Sequence, residues 1–261
     1  MLSGVYKGVK KDGTLYFRSS VTYRSKHISL GSFETEKEAH RAYKEAKKIL
    51  SNTRIEIGDC KKKVLDFKKY VILINFRDNG MYMKTPIYLK EKYFYYYFAP
   101  DDYLIFDSDD IFYFSDHSIM RRGGHLFVAD FGMQVNILSR YGIKNFAVKQ
   151  RDYRFINGDE TDYRRANLEI INRYHGVIRK ENKTATGFVY EARIHINGDF
   201  IVGRYDSEIK AAIAYNKAAA ILKEKGINKS FPENYIEEYD SEEYKAVYEK
   251  IKISKKIINY K

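Results

Sequence analysis

LGSFETEKEAHRAYKEAKKIL, residues 30–50, returns later in the chain in a related form, as VGRYDSEIKAAIAYNKAAAIL at residues 202–222. Identical residues recur at a constant shift of 172 (31 to 203), and the same shift relates Gly4-Val5 to Gly176-Val177. Self-similarity of this kind indicates a duplicated structural unit. The recurring residues are Gly31, Glu36, Ala39, Ala42, Tyr43, Ala46, Ile49 and Leu50, which return as Gly203, Glu208, Ala211, Ala214, Tyr215, Ala218, Ile221 and Leu222.

Each copy contains the pattern of one amphipathic helix. The apolar positions from Ala39 to Leu50 have helical spacing and form one stripe. Thr35 followed by Glu38 matches a capping box, and Ser207 is the expected cap of the second copy.

Three short strand patterns precede each helix. In copy one we expect strands at 4–10, 15–23 and 27–33; in copy two we expect them at 176–181, 187–196 and 200–205. Turn residues separate them, and Asn197-Gly198 is a strong hairpin signal. Each copy is therefore predicted to be a three-stranded antiparallel sheet with one helix packed on one face.

Alternation along the strands predicts which side chains face the helix. In copy two, Tyr190, Ala192 and Ile194 should point to the helix and the residues between them should point away. In copy one the corresponding inward set is Phe17, Ser19 and Val21. The outer face of each sheet should therefore be polar and partly basic.

The whole chain is also basic, with 47 Lys+Arg against 35 Asp+Glu and a net charge of +12. Such a charge favours a polyanionic partner, and a small sheet can enter the major groove of DNA. Double-stranded DNA is therefore the expected partner. The candidate DNA-binding residues are Lys7, Lys10, Arg18, Ser20, Thr22, Arg24 and Lys26 in copy one, and Arg179, Lys180, Lys183, Glu191, Arg193, His195 and Arg204 in copy two.

The two copies resemble the Apetala-type, ethylene-response-factor DNA-binding domain. The resemblance lies in the Gly-Val pair, in Leu30-Gly31-Ser32-Phe33 and Val202-Gly203-Arg204-Tyr205, and in the Ala-x-x-Ala-Tyr-x-x-Ala helix. It implies binding in the major groove through the sheet, with strand arginines and a tryptophan. The chain contains no tryptophan, and Ser29 and Ile201 occupy the corresponding positions.

RDYRFINGDETDYRRANLEI, residues 151–170, resembles the centre of the HNH endonuclease motif. Ile156-Asn157-Gly158-Asp159, Asp162, Arg164 and Asn167-Leu168 match its scaffold, and Asn-Leu should open a helix. The general-base histidine position holds Phe155, however, and no histidine lies between His125 and His175. Phosphodiester hydrolysis needs a group that activates water, and phenylalanine cannot accept a proton or bind a metal. We therefore expect no catalytic residues, no bound metal and no cofactor. The residues expected to bind DNA phosphates are Arg151, Arg154, Arg164 and Arg165.

The remaining sequence completes the expected organisation. Short apolar runs such as VILINF at 71–76 predict strands in a mostly β middle region. The predicted fold class is α+β: two three-stranded antiparallel sheet plus helix modules flanking a β-rich, HNH-like (ββα) central domain. The expected divisions are 1–53 for the first module, 54–66 for a linker, 67–172 for the central domain, 173–232 for the second module and 233–261 for a C-terminal helix.

Cellular location and partners follow from simple features. Apolar runs are too short to span a membrane, so no membrane association is expected. With Cys60 as its only cysteine the chain fits the cytoplasm, where it would associate with the nucleoid. The C-terminal helix could dock on the second module or form a homodimer.

The leading hypothesis is a sequence-specific duplex-DNA-binding protein that derives from an HNH endonuclease, lacks catalysis and regulates transcription or the DNA of a phage or mobile element. Two alternatives stay open: an active homing-type endonuclease that uses the aspartate cluster, and a protein-binding adaptor or inhibitor.

Overall fold

A computed structural model describes residues 1–60, 64–182 and 186–260 of the chain. It divides into two compact units: Met1–Val135 with Asp159–Asn167, and Asn136–Gly158 with Leu168–Lys261. The class is α+β, as expected, and small antiparallel sheets dominate both units. No helix among these residues is long and apolar enough to cross a membrane.

In the first unit, the described residues form three small sheets, ordered β1-β2-β3, β4-β5-β6 and β7-β8-β9, and three α-helices. The strands are β1 (Val5–Val9), β2 (Leu15–Tyr23), β3 (Lys26–Phe33), β4 (Ile87–Leu89), β5 (Tyr93–Ala99), β6 (Asp102–Asp107), β7 (Ile119–Arg122), β8 (His125–Asp130) and β9 (Met133–Asn136), the last ending at the boundary of the unit. The helices are α1 (Glu36–Ser51), α2 (Phe67–Asn79) and α3 (Ile111–Asp116).

The second unit contains a two-stranded sheet and a three-stranded sheet. Its strands are β10 (Tyr153–Phe155), β11 (Leu168–Ile170), β12 (Val177–Glu181), β13 (Phe188–His195) and β14 (Asp199–Tyr205). Its helices are α4 (Glu208–Glu224), α5 (Ser241–Lys250) and α6 (Lys255–Ile258).

Both predicted repeats are three-stranded antiparallel sheets followed by one helix, and their strands lie within one residue of the predicted positions. Thr35 caps α1 by accepting a hydrogen bond from the Glu38 amide, and Ser207 caps α4 by accepting one from the Lys210 amide. Each apolar stripe is buried against its own sheet. We call these sheet and helix units module one and module two.

A glycine and a tyrosine explain why Gly-Val and Ala-Tyr recur together. Gly4 and Gly176 have φ angles of +74° and +68°, a region that disfavours side chains. A Cβ on Gly4 would lie 2.1 Å from the Tyr43 ring, and one on Gly176 would lie 2.3 Å from the Tyr215 ring. The tyrosine of each helix can therefore pack against the chain just before the first strand because the residue there is glycine.

The expected strand at VILINF is wrong, because these residues form the middle of α2. Every residue from Tyr70 to Arg77 is buried, so this part of the helix has no exposed polar face and no apolar stripe to recognise in the sequence. Gly80 ends the helix in the left-handed conformation. Helix α2 packs on module one and joins its core.

The region 54–66, predicted as a linker, also joins that core. Leu65 is buried in it, and Ile55, Ile57 and Val64 pack against it. Lys61, Lys62 and Lys63 lie outside the described residues. The core of module one therefore extends beyond the predicted boundary at 53.

The middle region is rich in strands, but the expected ββα arrangement is not confirmed. Strands β10 and β11 pair in antiparallel fashion. Asn167-Leu168 does not open a helix as predicted: Arg165–Asn167 form one 3-10 turn and Leu168 begins β11. Residues 171–176 then lead directly into β12 without a helix.

The C-terminal segment docks on module two, one of its two expected arrangements. It forms α5 and α6 rather than one continuous helix. Tyr244, Val247 and Tyr248 pack on the module-two core and Ile257 is buried in it. The apolar side chains of this segment thus pack within the second unit.

Candidate nucleic-acid interface

Strand pairing gives the exact correspondence between the two outer sheet faces. In module one Arg18 pairs with Tyr6 and Ser32, and in module two Glu191 pairs with Ile178 and Arg204. A β-bulge follows in both sheets, after Ser19 in β2 and after Ala192 in β13. On the central strand, then, Arg18, Ser20 and Thr22 of module one correspond to Glu191, Arg193 and His195 of module two.

The face prediction is confirmed for module two. Ala192 and Ile194 are buried in the core under α4, and Tyr190 packs against it. His195 and Arg204 on the opposite face are exposed, and Ile201 is 43% exposed. The outer face of this sheet is therefore open to solvent.

Glu191 lies on this outer face, yet its side chain is fully buried. Three cations, one from each strand, cover its carboxylate with N–O distances of 2.7, 2.6 and 2.8 Å: Lys180, Arg193 and Arg204. We call these four residues the Glu191 cluster. The rest of each cation is exposed to solvent. The exposed fraction of the side chain is 38% for Lys180, 36% for Arg193 and 60% for Arg204.

The electrostatics of the cluster keep the carboxylate ionised. Burial would raise the pKa of Glu191, but the hydrogen bonds from the three cations outweigh burial and hold the pKa at about 2. Glu191 is one of the residues expected from the sequence to contact DNA. Its enclosed carboxylate instead positions the groups around it, and one negative charge among three positive ones leaves the cluster cationic.

Module one carries a different outer face on the same scaffold. Arg18 is exposed and lies 5.9 Å from the centre of the Tyr16 ring. Thr22 is also exposed, whereas Ser20 is mostly buried. A shallow depression of about 350 Å³ runs over this face, lined by Tyr6, Arg18, Ser19, Ser20, His27 and Ser29. The surface offers hydroxyl groups and one guanidinium where module two offers a cluster of charge.

Several predicted cations near the modules lie off the outer faces. Lys7 pairs with Phe17, and Arg179 pairs with Tyr190, so alternation places both on the helix side of their sheets. Lys10 is exposed at the end of the first hairpin. Lys183 lies outside the described residues.

Two more of these cations lie where β2 leads into β3: Arg24 in the turn and Lys26 at the start of β3. Arg24 donates a hydrogen bond to the Phe76 carbonyl at the end of α2, with an N–O distance of 3.4 Å. The Lys26 ammonium lies 5.3 Å from the centre of the Tyr82 ring. Both side chains thus have contacts inside the first unit.

Within the first unit, the HNH-like stretch forms a tight turn. Asp162 is buried and accepts hydrogen bonds from the Arg164 guanidinium at 2.8 and 2.7 Å. The Arg165 amide donates to Asp107. The Asn167 side chain donates to the Asp159 and Asp162 carbonyls. The motif's matching residues therefore hold a turn together.

The part of the stretch in the second unit has a similar internal role. Asp152 is buried and accepts hydrogen bonds from the Val148 amide and the Arg151 guanidinium. Burial would raise its pKa, but those bonds and the nearby Lys144 ammonium, 3.0 Å away, keep it lowered. Arg154 pairs with Glu169 across β10 and β11.

Phe155, at the position of the motif's general base, is 7% exposed. In residues 1–60, 64–182 and 186–260 no three His, Cys, Asp or Glu side chains come together as a metal site. Comparison of the chain with protein-family models, with curated proteins and with solved structures gives no match.

Most of the uncharged residues on both outer faces are absent from the candidates expected from the sequence. Tyr6, Tyr16, Ser29 and Ser32 in module one share their face with Arg18, and Ile178 in module two shares its face with Glu191. The alternation rule could have found Tyr6 and Ile178, because they sit one residue after the buried Val5 and Val177. The outward-facing positions of β3 can be assigned only when the position of the bulge is known, and a sequence pattern does not show where a bulge lies.

Proposed function

We propose that the chain binds double-stranded DNA in a sequence-specific manner through the outer faces of its two module sheets, without cutting it. The role we propose is regulation of transcription or of phage or mobile-element DNA. The observation that carries this proposal is the Glu191 cluster, a group of cations held together on an open sheet face.

The geometry of the cluster suits a polyanion. Arginine side chains lose rotamer entropy when they bind, and prior fixing by a carboxylate reduces that loss. Arg193 and Arg204 each use Nε toward Glu191. Their terminal nitrogens thereby remain oriented for phosphate oxygens or for the acceptor edge of guanine.

The outer face of module one is suited to recognising the bases of the DNA. Its outer face combines the guanidinium of Arg18 with hydroxyl groups, which can donate to or accept from base edges. We propose that module two supplies most of the electrostatic affinity and that module one supplies much of the discrimination. We also propose, from the sequence motifs, that the modules derive from an Apetala-type domain and that the stretch at 151–170 derives from an HNH nuclease.

The test begins with selection of genomic fragments by the purified full chain, followed by footprinting and binding measurements over a range of salt. Changing Arg193 and Arg204 to Ala should make the slope of log K against log salt shallower by roughly 2, since each lost phosphate contact removes about 0.9. Lys223→Ala removes one exposed charge from α4 and serves as the control.

A second variant separates recognition of the base sequence from binding of the phosphates. Arg18→Lys keeps the charge but cannot form the paired hydrogen bonds of a guanidinium to guanine, so discrimination between selected and random DNA should fall by about 1–3 kcal/mol. Arg41→Lys, an equivalent change on the exposed side of α1, should leave it unchanged. Absence of any duplex binding at low salt, or tight salt-insensitive binding to a protein instead, would overturn the proposal.

A further inference from the structure

The sheet β4-β5-β6 carries a row of tyrosines on one face. The segment YFYYYF places Phe94 and Tyr96 in the core and turns Tyr93, Tyr95 and Tyr97 to the other side. Strand pairing adds Tyr88 beside Tyr95 and Tyr103 beside Tyr97. We call Tyr88, Tyr93, Tyr95, Tyr97 and Tyr103 the tyrosine face, and all five side chains are half-buried.

The rings form a connected surface without stacking flat on one another. Tyr95 meets Tyr103 at 5.0 Å between ring centres and 82° between planes, and Tyr97 meets Tyr103 at 5.5 Å and 58°. Burial raises the pKa of Tyr97 to about 12, so its hydroxyl remains a hydrogen-bond donor near neutral pH. The face offers aromatic surface together with polar groups at its edge.

A cavity of about 490 Å³ lies over this face, within the size range of small-molecule sites. Four of its tyrosines line the cavity with residues from 53–58 and from the end of α2, all within the first unit. The cavity is distinct from the outer faces of both modules, so an inference about it does not rest on duplex binding.

The charges around the cavity limit what can occupy it. Its charged lining residues are Glu56, Arg77, Asp78 and Lys90, two of each sign, and Arg77 pairs with Asp78 at 2.6 Å. The Lys90 ammonium lies 5.0 Å from the Tyr88 ring centre. A neutral lining that already holds a lysine over one ring favours a neutral planar group over a quaternary ammonium ion.

We propose that the tyrosine face binds a nucleobase-bearing ligand, with the base against the Tyr95, Tyr97 and Tyr103 rings and its phosphate near Lys90. Bases stack on tyrosine rings and accept hydrogen bonds from hydroxyl groups, and a neighbouring ammonium pairs with phosphate. The same chemistry is present in single-stranded nucleic acid and in free nucleotides.

The experiment uses the full chain with two probes, a labelled oligothymidylate followed by fluorescence anisotropy and unlabelled nucleoside monophosphates followed by calorimetry. Tyr103→Ala should weaken binding on the order of tenfold to hundredfold, the cost of losing one stacked base. Lys90→Gln, an exposed change that leaves the core intact, should weaken binding several-fold. Tyr103→Phe keeps the ring and should bind within a few-fold of the natural chain. Tyr235→Ala, which removes an 80% exposed tyrosine from the second unit, is the control.

The outcomes separate the two ligand sources. If monophosphates bind, and if Tyr103→Ala and Lys90→Gln weaken that binding, the site takes free nucleotides. If the oligonucleotide binds with the same sensitivity to both variants and monophosphates do not compete with it, the site takes single-stranded nucleic acid. The proposal is overturned if neither probe binds, if both variants bind like the natural chain, or if tetramethylammonium binds and the nucleotides do not. Changing Arg193 and Arg204 to Ala should leave monophosphate binding intact, so failure here and failure of duplex binding can be told apart.

Discussion

Arg193 Nε lies 2.6 Å from Oε1 of Glu191, two residues earlier on the same outer face of β13. The carboxylate is buried, whereas the guanidinium is partly exposed. A buried acid here orients the basic groups that cover it.

Glu191→Gln should change the affinity for DNA and the preference for a selected site in different ways. The change removes the negative charge that fixes the two arginines, so binding to random DNA at low salt should become equal or tighter while preference for a selected site falls several-fold. Anisotropy titrations with selected and random duplexes measure both quantities. A variant that keeps the natural preference for the selected duplex would show that Glu191 does not orient the arginines for discrimination.

Acid should weaken module two through the same residue. The pKa of Glu191 is about 2 in the folded chain against an ordinary value of 4.5, so its ion pairs stabilise the fold above pH 4.5 and that contribution is lost as the pH falls toward 2. The difference in unfolding free energy between the natural chain and Glu191→Gln should therefore shrink across this window. Denaturant titrations at several pH values test this, and a constant difference would contradict it.

The glycine beneath each module tyrosine should tolerate no side chain. Gly4→Ala and Gly176→Ala should each cost about 2 kcal/mol or more, because a Cβ would overlap Tyr43 or Tyr215 at an already unfavourable φ. Thermal and denaturant unfolding provide the measurement. Gly58→Ala, with open space around the added Cβ, should change stability by less than about 1 kcal/mol.

Arg77 should be important for the stability of the first unit. Its buried guanidinium donates hydrogen bonds to the Ile49, Asn52 and Ile55 carbonyls and thereby ties α2 to the end of α1. Arg77→Met would leave these carbonyls without that donor and should cost about 2–4 kcal/mol. Arg54→Met, at an exposed position nearby, should be nearly neutral, and an equal loss in both variants would refute the proposed role.

We expect no strand cleavage from the HNH-like stretch. Phe155 cannot activate water, and Asp152 and Asp162 are bound by basic side chains. Supercoiled plasmid incubated with the chain and Mg²⁺ or Mn²⁺ should remain intact. Nicking that disappears in Asp162→Asn would instead establish an active metal-dependent nuclease, whereas nicking that persists in the variant would indicate a contaminant.

The two modules follow from the amino-acid sequence alone. Their strands, their helices with Thr35 and Ser207 as caps, and the faces of Tyr190, Ala192 and Ile194 all follow from local rules of alternation, capping and helical spacing. Those rules depend on near neighbours in the chain, and for this reason the repeat could be interpreted without a structure.

The other features depend on contacts that form when the chain folds. Whether 71–76 forms a strand or a helix depends on burial from all sides, which its apolar sequence cannot specify. The burial of Glu191 depends on cations from two other strands, and the tyrosine face depends on the pairing of β4, β5 and β6. These features arise from contacts between residues far apart in the chain, and alternation along one strand gives a side chain's direction but not what covers it.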